Sequence, residues 1–322
     1  MIEVKDLVKK YGNHLAVDHL SFTVEKGQIL GFLGPNGAGK STTMNMLTGY
    51  ISATEGNVII DGHDIFDEPE EAKKSIGYLP EIPPLYPDMT VREYLKFVAD
   101  IKNVKKNEQE KMIEDIMKLI QIKDVSERLI KHLSKGYKQR VGLAQAIMGY
   151  PEVIILDEPT VGLDPKQIIE IRDLIKTLSK KHTVILSSHI LSEISAVCDI
   201  VMIINKGKLV VTDTPENLSN HMEGANGLFL TVKGNKDTVY DVISSIPKVT
   251  KIHYEDSEEA NTVSLTVYSK EHEDIREAVF YALSEAKCPI YDMHSTKMSL
   301  ENIFLELTGK NDKGGLKNAS DL

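Results

Sequence analysis

Gly34-Pro35-Asn36-Gly37-Ala38-Gly39-Lys40-Ser41 fits the spacing G-x-x-x-x-G-K-[ST]. Each fixed type answers a chemical need. Glycines let successive backbone N–H groups converge on phosphate oxygens, and a helix that follows aims its positive end at the same charge. Lys40 then reaches the β- and γ-phosphates, and Ser41 offers a hydroxyl to Mg²⁺. Thr42, next along, joins the same nucleotide-contacting set.

A second group of residues sits far along the chain. Val153-Ile154-Ile155-Leu156 is an apolar strand that delivers Asp157 and Glu158 at its end, where ligands bind in a parallel sheet. Asp157 suits Mg²⁺ held through water. Glu158, one residue on, points elsewhere and suits a water-orienting or general-base role. Pro159 stops the strand.

The elements that must position these groups read as follows. Ile2, Val4 and Leu20, Phe22, Val24 alternate like strands, with turns at Gly12-Asn13 and Lys26-Gly27. Ile29–Leu33 is a short apolar run entering the glycine loop, and a helix is expected from Lys40 to about Gly49. Thr90-Val91-Arg92-Glu93 is a capping box that opens a helix after the proline-rich stretch at 80–87. Ile113, Ile116, Met117 and Ile120 mark another helix, so 88–150 reads as a helical insert. Strands at Val153–Leu156 and Thr183–Leu186 flank a helix at about 165–180. After Glu223–Gly227, the order βαββαβ predicts a ferredoxin-like sandwich, with a short helix at Ser299–Leu307. The expected domains are a cassette at 1–222, an accessory domain at 227–309 and a disordered tail at 310–322.

Composition narrows the function. The 322 residues exceed one ordinary domain, and 41% hydrophobic with 27% charged residues is globular. Lys and Arg number 38 against 48 acids, a net charge of −10. That balance, with 6% aromatics and no Trp, argues against a nucleic-acid partner. Two cysteines, Cys198 and Cys288, make no disulfide framework and no zinc knuckle. No apolar run approaches bilayer length, and the first residues, MIEVKDLVKK, lack a secretory pattern. A soluble chain is expected, and any work at a membrane would go through a partner.

Further motifs carry a family resemblance. Leu133-Ser134-Lys135-Gly136-Tyr137-Lys138-Gln139-Arg140 resembles the signature motif of ATP-binding cassette (ABC) ATPases. Asp157 to Asp164 resembles that family's Walker B and D-loop, Ser187-Ser188-His189 its switch histidine, and Tyr11 its adenine-stacking aromatic. The resemblance spans about residues 1–220, with the motifs in the family's order. It implies an α/β P-loop fold with antiparallel N-terminal strands, and ATP with Mg²⁺ as ligands. It implies that His189 contacts the γ-phosphate, and that Ser134 and the Gly136 N–H contact ATP held by a second cassette. That second cassette is another copy of the chain or a paralogous ATPase subunit. Glu81 stands where the family usually has Gln, and its carboxylate is a candidate Mg²⁺ ligand. Lys135 and Tyr137 also depart from the commoner signature.

The Tyr78-Leu79-Pro80-Glu81 loop, the signature and the ending Ser299–Phe304 resemble the ATPase subunits of type-2 ABC exporters. That branch implies an integral-membrane permease as partner, docked near residues 80–90. It also implies a cytoplasmic position on the inner face of the membrane. The alternative is an ABC ATPase that remodels a ribosomal or nucleic-acid complex. Those commonly carry two cassettes or a long coiled-coil insert, and this chain has neither. A small-molecule kinase is disfavoured by Asp157-Glu158, which suit water as acceptor.

Overall fold

The computed structural model describes residues 1–220, 226–255, 259, 261–269 and 273–297. The expected helix at 299–307 and the tail from 310 lie outside them. The chain divides into two compact units, Met1–Pro215 and Glu216–Leu322. The division falls at the start of a helix, Pro215–Asn220, ahead of the boundary expected at 222.

The first unit opens with β1 (Ile2–Tyr11), β2 (His14–Val24), β3 (Ile29–Leu33) and α1 (Lys40–Leu47). Next come β4 (Glu55–Ile60), β5 (His63–Asp64), α2 (Pro69–Lys74) and β6 (Ile76–Leu79). The helical insert supplies α3 (Val91–Ile101), α4 (Lys106–Leu119) and α5 (Lys135–Ile147). The unit continues through β7 (Val153–Asp157), α6 (Pro165–Ser179), β8 (Thr183–Ser188), α7 (Leu191–Ser195), β9 (Ile200–Asn205) and β10 (Lys208–Asp213).

Two sheets result. The antiparallel one has order β2-β1-β4-β5, and the six-stranded one has order β10-β9-β3-β8-β7-β6. The second sheet is parallel except for its edge strand β10. β7 is buried at all five positions, which is why it reads as an unbroken apolar run rather than an alternating one. Alternate residues of the parallel strands, Leu30 and Phe32, Val153 and Ile155, Met202 and Ile204, share one core. That core also takes Met44, Met46 and Leu47 of α1 and Ile2, Val4 and Leu20 of the antiparallel sheet. Leu30 and Phe32 are fully buried and each contributes roughly 1.5–3 kcal/mol. They anchor the strand that ends in the phosphate loop.

Local signals set the helix ends. Thr90 and Glu93 form the expected capping box at α3: the Glu93 N–H donates to Thr90 Oγ1, and the Thr90 N–H donates to Glu93 Oε2. Gly49, left-handed at φ 64°, follows the end of α1. Arg140 pins α5 to its neighbours, with Nη1 donating to the Ile120 carbonyl at 3.0 Å and Nη2 to Glu170.

α8 (Pro215–Asn220) begins at the division, and the second unit goes on through β11 (Asn226–Lys233), α9 (Lys236–Ser244), β12 (Val249–Glu255), β13 (Thr262–Ser269), α10 (Arg276–Glu285) and β14 (Ile290–Lys297). Its sheet has order β12-β13-β11-β14, and every neighbour pair is antiparallel. From β11 onward this is a ferredoxin-like βαββαβ arrangement. Leu230, Val232, Leu265 and Val267 of the sheet pack with Val239, Ile243, Val279 and Leu283 of the helices. Cys198 and Cys288 are both free and buried, and burial pushes the Cys198 thiol well above its usual range.

Candidate functional site

The phosphate loop joins β3 to α1 at residues 34–39. Gly37 and Gly39 take left-handed φ values of 79° and 104°, which aim backbone N–H groups in a way most residues resist. A side chain at Gly39 would put Cβ 2.6 Å from the Ala16 carbonyl, and one at Gly34 would sit 2.6 Å from the Ile204 carbonyl. The loop is therefore pressed against β2 and β9, with no room behind it. Pro35 and Ala38 close the turn, with the Ala38 N–H donating to the Pro35 carbonyl at 3.1 Å.

Lys40 is 6% exposed. Its Nζ donates to the Gly34 carbonyl at 2.8 Å and the Pro35 carbonyl at 3.4 Å, and lies 3.5 Å from Glu158 Oε1. The ammonium is folded onto its own loop, between two carbonyls and one carboxylate.

Asp157 and Glu158 leave β7 beside β8, in a register that pairs Asp157 with Ser187. Ser187 Oγ donates to Asp157 Oδ1 at 2.5 Å and accepts from the Glu158 N–H at 3.0 Å. One buried hydroxyl thus orients both acids. Glu158 has a left-handed φ of 49°, which turns its side chain away from that of Asp157. Its Oε2 lies 2.9 Å from His189 Nδ1, the distance of an Nδ1–H donating to a carboxylate. Glu158 is 7% exposed and so bridges Lys40 to His189 in a nearly closed setting.

One cavity of about 380 Å³ collects most of the expected residues. Its wall includes Asn36, Gly37, Gly39, Lys40, Ser41 and Thr42 of the loop and α1. Tyr11, Glu81, Glu158 and His189 are also on it. Tyr11 ends β1 half-exposed, with Lys9 Nζ 5.2 Å from its ring centroid. Glu81 is exposed on the turn after β6. Buried Asp157 is not on the wall, and neither are Ser134 and Gly136.

Ser134 caps α5, accepting from the Tyr137 N–H at 3.4 Å, and is exposed. A Cβ at Gly136 would fall 2.7 Å from the Gln167 amide group, so the Gln167 side chain lies directly over this glycine. Sequence reasoning missed His14, Ala16 and Val161 on the wall. Of these, His14 was within reach: the Gly12-Asn13 hairpin pairs Tyr11 with His14.

Ser41, Asp157 and Glu81 offer hydroxyl and carboxylate oxygens, the hard donors that Mg²⁺ takes. Among the described residues no three His, Cys, Asp or Glu side chains gather into a metal cage. The residues present fit a cation held jointly by one or two protein oxygens and a phosphate chain.

Residues 17–161 match the family model for the ABC transporter. The linearmycin resistance ATP-binding protein LnrL of Bacillus subtilis is 30% identical over 311 residues, covering 96% of this chain and 99% of that protein. The chain belongs to the ABC transporter ATP-binding subunits. The bacitracin transport ATP-binding protein BcrA of Bacillus licheniformis is 43% identical over 212 residues, 65% of this subunit and 68% of BcrA. A solved ATP-binding subunit of an ABC transporter superposes with TM-score 0.63 at 30% identity, covering 69% of this subunit and 92% of that chain. A dimeric, post-hydrolysis ATP-binding cassette bound to ADP and Pi superposes with TM-score 0.61 at 25% identity, covering 67% and 99%.

The subunit has a second, larger concavity of about 970 Å³ on the cassette. Tyr78, Ile82, Tyr86, Tyr94, Phe97 and Ile101 line it. Tyr86 stacks edge-on to Tyr94 at 5.9 Å and lies 5.2 Å from Phe97. Burial pushes the Tyr94 phenol up to about 12. Ile82 is 82% exposed, and Tyr50, 79% exposed, also lines this groove. Among the described residues no helix is long and apolar enough to cross a membrane.

Proposed function

We propose that this subunit hydrolyses ATP with Mg²⁺ in the cavity between the phosphate loop and Glu158, and that two such cassettes drive export through a separate membrane permease. The observation that carries it is Glu158 itself, buried and in contact with both Lys40 and His189. Mg²⁺ would supply charge neutralisation at the phosphates, with Ser41 and Glu81 offering it protein oxygens and Asp157 holding it through water.

The chain's own groups divide the remaining work. The loop N–H groups and Lys40 bind the phosphates, and Tyr11 offers its exposed ring to the base. Glu158 accepts a proton from attacking water at a carboxylate oxygen, and the imidazole of His189 orients that carboxylate through Nδ1. Ser134 and the Gly136 N–H serve the γ-phosphate of a second cassette, consistent with their exclusion from this chain's own cavity. Hydrolysis then removes a charge-assisted contact between the two chains and loosens them.

The aromatic groove takes the permease, since it is lined by the proline-rich loop and α3. The functions for which two relatives are named, bacitracin transport and linearmycin resistance, support export. They favour it over remodelling of a ribosomal or nucleic-acid complex. Through the permease the subunit would sit on the cytoplasmic face of the membrane.

The test is assembly. Glu158→Gln protein mixed with ATP should form a stable dimer by size-exclusion chromatography with light scattering. Adding Ser134→Arg should block the dimer while ATP binding persists. A Glu158→Gln protein that binds ATP yet stays monomeric at every concentration, alone and with its permease, would contradict the paired arrangement.

A further inference from the structure

Glu193 is a buried acid to which the scheme above gives no task. It lies on α7, 6% exposed, and no ion pair to it forms among the described residues. Two hydroxyls serve it instead: Thr160 Oγ1 donates to Oε2, and Ser188 Oγ donates to the same oxygen at 3.3 Å. Thr160 and Ser188 are themselves 5% and 0% exposed. A buried carboxylate without a cation is a costly way to hold a core together, and an apolar residue of similar size would do so at less expense.

The positions of its two donors explain what it does. Thr160 follows Glu158 and Pro159 on the loop leaving β7. Ser188 immediately precedes His189 at the end of β8, and its Oγ accepts from the Ile190 N–H at 3.0 Å. The β7–β8 ladder ends at the Asp157–Ser187 pair and the β3–β8 ladder at the Leu33–Ser188 pair, so no ladder fixes Glu158, Thr160 or His189. Past that point Glu158 holds a left-handed backbone that a non-glycine residue keeps only when its surroundings enforce it. Glu193 ties together the two loops from behind, while Glu158 and His189 meet in front at 2.9 Å.

We propose that Glu193 is a positioning residue for hydrolysis, whose carboxylate clamps Thr160 to Ser188 and so sets the alignment of Glu158 with His189. The proposal rests on Glu158 orienting the attacking water. The clamp acts on the base and the imidazole, not on the phosphate loop, so it sets turnover and leaves nucleotide affinity alone. Gln at this position keeps one oxygen able to accept from a hydroxyl, whereas Met keeps the bulk and loses both bonds.

The experiment uses the full chain, with steady-state phosphate release, equilibrium ATP binding and thermal unfolding measured on each variant. Glu193→Met should lower kcat by about 10–10²-fold, the scale of an ångström's misplacement, with the ATP Kd held within about threefold. Thr160→Val, which exchanges only hydroxyl for methyl, should give a similar loss. The double variant should lose no more than the worse single one, because both remove the same clamp. Glu193→Gln should recover most of the turnover.

Native turnover in folded Glu193→Met and Thr160→Val overturns the proposal. So do additive losses, a Gln variant no better than Met, or ATP binding that weakens in step with kcat. If Glu193→Met does not fold, Thr160→Val and Ser188→Ala decide the question by the same kcat-against-Kd split. Glu158→Gln is run alongside. Native turnover there sinks the role of Glu158, whereas an inactive Glu158→Gln beside a fully active Glu193→Met sinks the clamp alone.

Discussion

Alanine at Gly39 and at Gly37 should separate two different demands made on one loop. Both positions have left-handed backbones, at φ 104° and φ 79°. An L-residue held there loses roughly 1–2 kcal/mol. At Gly37 nothing lies within 4 Å of the added Cβ, so that strain is the whole effect. At Gly39 the Cβ would sit 2.6 Å from the Ala16 carbonyl, which belongs to β2 and cannot swing aside as a side chain can. Forcing the loop outward adds about 1–3 kcal/mol. Gly39→Ala should therefore lose about 2–5 kcal/mol of stability and Gly37→Ala about 1–2. Gly39→Ala should also weaken ATP binding by at least about tenfold, since one N–H bond to a charged acceptor is worth roughly 1.5–3 kcal/mol. Urea unfolding and titration with a fluorescent ATP analogue measure both quantities. Equal destabilisation at the two positions, or a worse Gly37→Ala, would refute the close approach to β2.

Three further outcomes are expected. Ile82→Asp, on the exposed rim of the aromatic groove, should leave stability within about 0.5 kcal/mol and basal ATPase intact, but abolish permease-dependent stimulation in reconstituted vesicles. Glu81→Ala and Glu81→Gln should move the Mg²⁺ dependence of ATPase to higher concentration, and superimposable curves for both would leave Glu81 a solvated loop acid. Burial raises the Tyr94 phenol from 10.0 to about 12. The folded state thus favours the neutral phenol: its contribution is complete below pH 10 and is lost as pH climbs towards 12. Tyr94→Phe should flatten that part of the stability-against-pH curve, and an unchanged slope would contradict the assignment.

The parts of the site that were legible in the sequence are those that act within a few consecutive residues. The phosphate loop and the Asp157-Glu158 pair are contiguous, and the apolar runs feeding them, Ile29–Leu33 and Val153–Leu156, became β3 and β7. The Thr90–Glu93 capping box is equally local. What stayed hidden depends on partners distant in sequence. β10 is an edge strand with no fully buried residue, and its burial never alternates cleanly, so its residues carry no strand pattern. His14 and Ala16 reach the cavity wall only through the pairing of β1 with β2. Glu193 reads as a solvated helix acid until α7 is folded against Thr160 and Ser188. The left-handed backbone at Glu158 has no local signal, because the residue type itself disfavours it.

The most direct measurement compares phosphate release and ATP binding in Glu158→Gln. The amide keeps the shape of a side chain that is 7% exposed and touches Lys40 and His189, but it cannot take a proton from water. Binding should persist or tighten, because an anion is removed from beside Lys40 and from the path of the phosphates. Phosphate release should fall by about 10²–10⁴, roughly 2.7–5.5 kcal/mol in the barrier. Turnover within a few-fold of the native protein, with ATP bound, would contradict hydrolysis directed by Glu158.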